Sequence, residues 1–310
     1  MKNTNTKFLF LSGILTSLVL IFLLTFINAG SESKRHNVTT ALLNPKYKLS
    51  KISFSTKDEI TVLHNCDDFW GGEYSDGNET IYFPVDEYKI SEFIEKSREI
   101  ITLEKVLDAN TKEQFEYYSL DENAITVTYY DDQDNPVSTI HFGAMNQSLD
   151  KIFLWAEKNM TVYSMDSRIS YYLDSGIKFW TDQNIIPQGI SKSLNASTIQ
   201  NMSYQYKDAD KTKVSDKLLM KFPSLRFSEI VESFEASEKE LSIEIIDGSG
   251  TAFTYNFFPA KTKNGDCYVF NLNIKPSIVY SAKQKDFIRK LNYYSSISQW
   301  TYKTITELLQ

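Results

Sequence analysis

The chain has little cysteine, proline or glycine. Its 310 residues include 2 Cys, 7 Pro and 11 Gly, which excludes a disulfide-stabilised small fold, a collagen-like repeat and a flexible low-complexity chain. Basic residues are not in excess either, because the chain has 33 Lys and Arg and 40 Asp and Glu, which gives a net charge of -7. Nucleic-acid-binding domains need clustered positive charge. Nucleic acid is therefore not an expected partner.

Apolar and aromatic residues are what the chain has in quantity. Hydrophobic residues make up 42% of it, including 20 Phe and 19 Tyr. That supply is ample for a core in a chain of this length, and Phe and Tyr favour strands. We therefore expect a packed, strand-rich protein. The two cysteines, Cys66 and Cys267, leave two alternatives open, either one disulfide that closes a long loop or two separate thiols.

One long apolar run is present, at the amino terminus. Residues 8–27 carry no charge, and a membrane-spanning helix needs about 20 such residues, whereas a cleavable signal has an apolar part of about 7–15. Lys2 and Lys7 precede the run and predict that the amino terminus stays inside the cell. We therefore expect residues 1–30 to be a single-pass anchor in the cell membrane, with the rest of the chain outside the cytoplasm. A cleaved signal that ends near Gly30 is the alternative.

The remainder of the chain predicts strands and short helices in an order that repeats. A polar spacer over residues 31–44 precedes strands around Ile52 and Val62, and a helix follows Asp86. A hairpin is predicted over residues 124–142 because two alternating runs flank a polar turn. The same pattern returns at residues 241–258.

A second repeated element supports a duplication. Val162-Tyr163-Ser164 and Val279-Tyr280-Ser281 are each predicted to open a helix, at nearly the same offset as the two hairpins. The sequence therefore predicts an N-terminal transmembrane helix followed by a duplicated, strand-rich α+β ectodomain. Its first lobe covers residues 45–187 and its second, related lobe residues 195–310, with a Pro-, Gly- and Ser-containing connector near Pro187.

No residue pattern predicts a metal or a cofactor. The three histidines, His36, His64 and His141, lack the spacing of metal ligands. The acidic run over residues 131–136 places a proline where a calcium loop needs an oxygen ligand, which favours a tight turn. Gly248-Ser249-Gly250 lacks the third glycine of a dinucleotide-binding loop. No cofactor is therefore expected.

Catalytic patterns are equally weak. Ser148 and Lys151 have the Ser-x-x-Lys spacing of enzymes that acylate β-lactams, but the two later elements of that pattern, sought at Ser215-Asp216-Lys217 and Lys261-Thr262-Lys263, are degenerate. Neighbouring carboxylates such as Asp67 and Asp68 tend to point apart in a strand. No catalytic residue is predicted.

Aromatic pairs offer a binding alternative. The pairs Phe69-Trp70 and Phe179-Trp180 can stack on sugar rings, although such pairs also build cores. The positions of the four tryptophans decide between these roles. A groove lined by two of them would favour a carbohydrate- or glycan-binding module or a hydrolase. The residues concerned are Trp70, Trp155, Trp180 and Trp300.

Several short motifs resemble the bacterial domain family DUF4340, whose function is unknown. The motifs are Tyr82-Phe83-Pro84-Val85-Asp86, Tyr118-Ser119-Leu120, Ile140-His141-Phe142-Gly143, Val162-Tyr163 and Phe179-Trp180-Thr181-Asp182-Gln183. The resemblance brings no catalytic residues. It implies a membrane-anchored accessory protein of the bacterial envelope, associated with components of an ABC-type transporter. Our leading hypothesis from the sequence is accordingly a non-enzymatic extracytoplasmic protein that binds a partner protein.

Overall fold

The structure is a computed structural model that describes residues 37–156, 160–191, 194, 197–207, 209–263 and 265–309. The predicted transmembrane segment, residues 8–27, lies outside these ranges, as does His36. Within the described part of the chain the longest helix has 12 residues. None of the described helices combines the length and apolar character that crossing a membrane requires.

The first half of the chain folds into one antiparallel sheet. In the described residues the sheet has ten strands in the order β1-β6-β10-β9-β8-β7-β2-β3-β4-β5. Its strands are β1 (Val38–Thr40), β2 (Leu49–Ser55), β3 (Ile60–Asn65), β4 (Trp70–Ser75), β5 (Thr80–Pro84), β6 (Ile101–Asp108), β7 (Ile125–Asp131), β8 (Pro136–Met145), β9 (Lys151–Ala156) and β10 (Thr161–Asp166). Its helices are α1 (Glu87–Arg98), α2 (Lys112–Tyr117), a 3-10 helix (Ser167–Tyr172) and α3 (Ile177–Trp180).

The second half forms another antiparallel sheet. Its described strands follow the order β12-β11-β15-β16-β17-β18-β13, and β14 pairs with β16. Its strands are β11 (Ile199–Tyr206), β12 (Thr212–Lys213), β13 (Glu229–Ile230), β14 (Glu235–Ala236), β15 (Leu241–Asp247), β16 (Ala252–Thr262), β17 (Gly265–Lys275) and β18 (Tyr294–Ile297). Its helices are α4 (Asp216–Lys221), a short 3-10 helix (Phe222–Ser224), α5 (Ala282–Lys290) and α6 (Gln299–Leu309).

The two sheets follow the same strand path. The succession β6-β10-β9-β8-β7-β2-β3 in the first sheet corresponds, strand for strand, to β13-β18-β17-β16-β15-β11-β12 in the second. All pairs in both successions are antiparallel. Each half also has a helix before the first strand of this succession: α1 precedes β6, and α4 precedes β13. The first sheet adds β1, β4 and β5 to this path, and the second adds β14 and α5.

Local sequence patterns explain several elements directly. Both predicted hairpins are confirmed as β7–β8 and β15–β16. In β15, Leu241, Ile243 and Ile245 are buried while the alternate residues are half-buried, as expected when one face of a sheet covers the core. Asp86 caps α1, because its side chain accepts hydrogen bonds from the backbone N–H groups of Tyr88 and Lys89.

The predicted correspondence of the two Val-Tyr-Ser motifs is wrong. Val162-Tyr163-Ser164 lies inside strand β10, whereas Ser281 caps α5. In the shared strand order, β10 corresponds to β18 instead. Strand β10 follows β7, β8 and β9 and lies beside β6, and β18 follows β15, β16 and β17 and lies beside β13. A three-residue match carries too little information to align two halves that contain different insertions.

The predicted fold class is also wrong. Strands make up 43% and helices 22% of the structure, in two large antiparallel sheets, so the part of the chain that the structure describes is mainly β rather than the predicted α+β. The single-pass membrane assignment has no support in the described residues. The physical reason for the mainly β fold is that many described residues alternate in long strands, whereas the described helices have at most 12 residues and cover the sheets.

Segments predicted as spacer and connector take part in the packing. Residues 38–40 pair with β6 as strand β1, and Leu42 and Leu43 are buried. In the predicted connector, Leu194 is buried in the same core cluster as residues of both sheets, as are Ile185 and Ile186 just before the connector. The two halves therefore share one continuous hydrophobic core.

Helix α5 of the second half packs against strands β4 and β5 of the first sheet. Its Phe287 ring lies against Phe69 and Tyr82, with ring centroids 6.1 and 6.0 Å apart. A Cβ atom on Gly71 would lie 2.2 Å from this ring, so the glycine makes the contact possible. Asn292, just after α5, accepts a hydrogen bond from Tyr82 N and donates one to Thr80 O. These bonds cover the open edge of β5, which would otherwise expose unpaired backbone groups.

We expect Gly71→Ala to destabilise the fold by about 1–3 kcal/mol, because the added methyl group overpacks against the enclosed Phe287 ring. Gly248→Ala is the matched control, since its new Cβ atom would meet nothing nearer than Thr198 O at 3.7 Å. Thermal unfolding of the purified chain measures both effects. The Phe287→Leu background should reduce the effect of Gly71→Ala, and equal effects in both backgrounds would contradict the assigned contact.

Candidate functional site

The two described histidines, His64 and His141, have different surroundings. His64 Nε2 lies 2.9 Å from Glu73 Oε2, and both side chains are about one-third exposed. Burial lowers the pKa of His64 more than hydrogen bonding and charge interaction with Glu73 raise it, so the imidazole is neutral at pH 7. His141 stacks on Trp155 with centroids 4.5 Å apart. Among the described residues no group of three or more His, Cys, Asp or Glu side chains could hold a metal ion.

The cysteines are two free thiols. Cys66 is buried, and burial raises the pKa of its thiol to about 12. Burial also raises the pKa of Cys267. Because the thiolate is the nucleophile, neither side chain is activated for covalent chemistry.

The structure does not assemble the Ser-x-x-Lys pattern. Ser148 lies in an exposed turn, and Lys151 Nζ donates to Glu104 instead. Ser215 caps helix α4. In the acidic run, Asp131 Oδ1 accepts backbone hydrogen bonds from Gln133 and Asn135, both at 2.9 Å. The predicted turn is thus confirmed.

The four tryptophans differ in their exposure to solvent. Trp180 is fully buried, and its indole N–H donates to Asp174 O at 2.8 Å. Trp70 and Trp155 are half-buried. Trp300 is 71% exposed, on helix α6. The arrangement that would favour glycan binding by tryptophan, a groove with two of these rings, is not formed by the described residues.

Helices α4 and α6 form the walls of an open groove, which we call the α4–α6 groove. Its lining is largely apolar, with a volume of about 560 Å³, and consists of Lys217, Met220, Lys221, Thr304, Glu307 and Leu308. Ser215 holds the two walls together, because its hydroxyl accepts from Leu218 N in α4 and donates to Leu308 O in α6. The other face of α6 is anchored by Tyr302, which stacks on Tyr268 of β17.

Two large apolar side chains at the groove are exposed to solvent. Met220 is 66% and Trp300 is 71% exposed. Trp300 lies one helical turn before Thr304, which lines the groove, and therefore on the same face of α6. Tryptophan dominates binding energy at protein interfaces, and methionine is enriched there. The α4–α6 groove is therefore a candidate binding surface.

The charge of the α4–α6 groove is largely positive. Lys217 and Lys221 are exposed, and neither forms an ion pair with another described residue. On the opposite wall, Lys303 pairs with Glu307 at 3.6 Å. A chain with a net charge of -7 thus presents a local basic rim beside an apolar floor.

The comparisons with known proteins identify no relative, because no family model, curated protein or solved structure matches the chain. The resemblance to DUF4340 therefore stays a prediction.

Sequence reasoning missed the α4–α6 groove, although part of the signal was available. On α6 the buried residues Tyr302, Ile305 and Leu309 follow a helical spacing that leaves Trp300 outside the apolar stripe. An aromatic residue off the buried face of a helix indicates a surface role. The partner wall, α4, lies some eighty positions earlier, so only the tertiary structure reveals a groove.

We expect His64→Gln to flatten the pH dependence of stability between pH 7 and pH 5. The pKa of His64 is lower in the folded state than its ordinary value of 6.5. Its contribution to stability is therefore complete above about pH 6.5 and is lost as the pH falls through the lower folded-state pKa. Melting temperatures of both proteins across this range test the expectation. Parallel pH profiles would show that His64 does not contribute.

Proposed function

We propose that this protein acts by binding rather than by catalysis, and that it recognises a partner protein through the α4–α6 groove. The observation that supports the proposal is the exposed side chain of Met220 in the lining of the groove, together with the exposed indole of Trp300 one helical turn before Thr304. Soluble proteins rarely leave such groups clustered on the surface without an interaction to bury them.

The chemistry of the groove favours one kind of partner segment, an acidic amphipathic helix. An amphipathic helix places apolar side chains every three or four residues into a hydrophobic groove. Trp300, Met220 and Leu308 offer the apolar contacts, while Lys217 and Lys221 at the rim attract carboxylates. Because salt screens exposed charges, the basic rim also predicts that the association rate falls as the salt concentration rises.

Glycan binding by the tryptophans is less well supported as a function. Trp180 is buried and Trp300 stands apart from the other tryptophans on α6. An accessory role beside a transporter, and a location outside the cytoplasm, stay predictions from the sequence.

We expect Trp300→Ala to weaken partner binding about 30-fold, the effect of losing a central aromatic contact of about 2 kcal/mol. The partner is first captured in cells of the source organism by a photo-crosslinking residue in place of Thr304 in the full chain. Its contacting segment is mapped by mass spectrometry, and affinity is measured with that segment as a synthetic peptide.

The matched control is Tyr117→Ala, which removes another exposed ring, 81% accessible, from helix α2. It should leave the affinity unchanged. Lys217→Glu combined with Lys221→Glu should weaken binding mainly at low salt. An adduct that also forms from position 117, or an affinity that Trp300→Ala does not alter, would count against the proposal.

A further inference from the structure

A cluster of aromatic side chains surrounds a carboxylate on the surface of the first half of the molecule. We call it the tyrosine patch, and it consists of Tyr88 and Glu92 from α1, Tyr171 and Tyr172 from the 3-10 helix, and Phe179 from α3. Tyr88 is 71% and Tyr171 is 62% exposed. Neither the strand path nor the α4–α6 groove accounts for exposed rings at this place.

Hydrogen bonds hold the carboxylate at the centre of the patch. Tyr88 Oη donates to Glu92 Oε1 and Tyr172 Oη donates to Glu92 Oε2, both at 2.7 Å. These bonds lower the pKa of Glu92, so it is ionised at neutral pH. Each carboxylate oxygen still has capacity to accept another hydrogen bond. The patch therefore presents fixed acceptors next to aromatic faces.

The rings themselves are fixed by mutual packing. Tyr171 makes edge contacts with Tyr172 and Phe179, with centroids 5.0 and 5.3 Å apart. Behind them, Phe93 in the core lies 5.9 Å from Tyr172. A ligand that stacks on Tyr171 would thus meet a ring whose orientation the fold has already set, which reduces the entropy lost on binding.

Charges of both signs lie around the patch, and Glu95 is a second carboxylate that acts on Tyr88. Lys89 Nζ lies 4.8 Å from the Phe179 ring centroid, donates to Phe179 O, and is 4.0 Å from Asp86. A second cation, Lys96, acts on Glu92. The carboxylate therefore does not call for a cationic ligand, and a neutral ligand with many hydroxyl groups suits the site better.

We propose that the tyrosine patch binds a pyranose ring of a neutral glycan. The C–H face of the sugar would stack on Tyr171 or Tyr88, because aromatic faces carry partial negative charge. Its hydroxyl groups would donate to Glu92 and accept from Lys89. A protein partner fits less well, because the centres of protein interfaces are depleted of Glu and Lys. This site is separate from the α4–α6 groove and does not depend on the function proposed for it.

Affinity electrophoresis in native gels tests the proposal with the full chain, whose net charge of -7 carries it toward the anode. Four soluble polymers are cast separately into gels: hydroxyethylcellulose, laminarin, xylan and glycol chitin. We expect at least one of them to retard the protein. Tyr171→Ala and Tyr88→Ala should each raise the dissociation constant about tenfold, the scale of one aromatic contact, and Glu92→Gln should raise it several-fold.

Two variants separate recognition from folding. Tyr171→Phe keeps the ring and should retain binding, and Tyr117→Ala, which removes an exposed ring elsewhere, should leave retardation unchanged. Circular dichroism and melting temperature report the folded state of each variant. The proposal is overturned if none of the four polymers retards the wild type, or if folded Tyr171→Ala and Tyr88→Ala are both retarded as strongly as the wild type.

Discussion

The chain that joins the two sheets is buried over most of residues 181–191, and this constraint governs the rest of the structure. The polar groups of a buried backbone must form hydrogen bonds. The carboxylate of Asp182 accepts hydrogen bonds from the backbone N–H groups of Asn184 and Gln188, and from the side-chain amide of Asn184. The same segment forms backbone hydrogen bonds with both halves. Asp182 N donates to Pro84 O in the first half, and Ile185 N donates to Leu225 O in the second. Burial raises the pKa of Asp182, as expected for a carboxylate enclosed in the core.

A common strand path and a set of insertions explain how the halves combine. The insertions β4–β5 and α5 pack against each other, with Phe287 on Gly71 and Asn292 along the edge of β5. Adjacent Asp67 and Asp68 accept hydrogen bonds from Ser281 and Gln284 of α5. These carboxylates therefore help fix the two halves in one arrangement.

Both candidate surfaces lie on short helices outside the strand path. Trp300 is held by a helix whose opposite face is buried, and Tyr171 by a 3-10 helix packed on the core. Rings presented in this way lose little freedom on binding. The buried residues with conspicuous chemistry, Cys66 and Trp180, instead serve packing. The residue types of Cys66 and Trp180 suggested a chemical role, but a residue type by itself does not indicate whether the side chain is buried.

The sequence by itself determined the strand-rich composition, both hairpins and the helix starts at Asp86 and Ser281, because each depends on side-chain alternation or on hydrogen bonds between near neighbours. Its repeat signal pointed to two halves but aligned them incorrectly at Val162. Only the tertiary structure decided the mainly β fold, the burial of the connector and the two surfaces. Those features join residues far apart in the chain, and packing between distant segments leaves no local pattern to read.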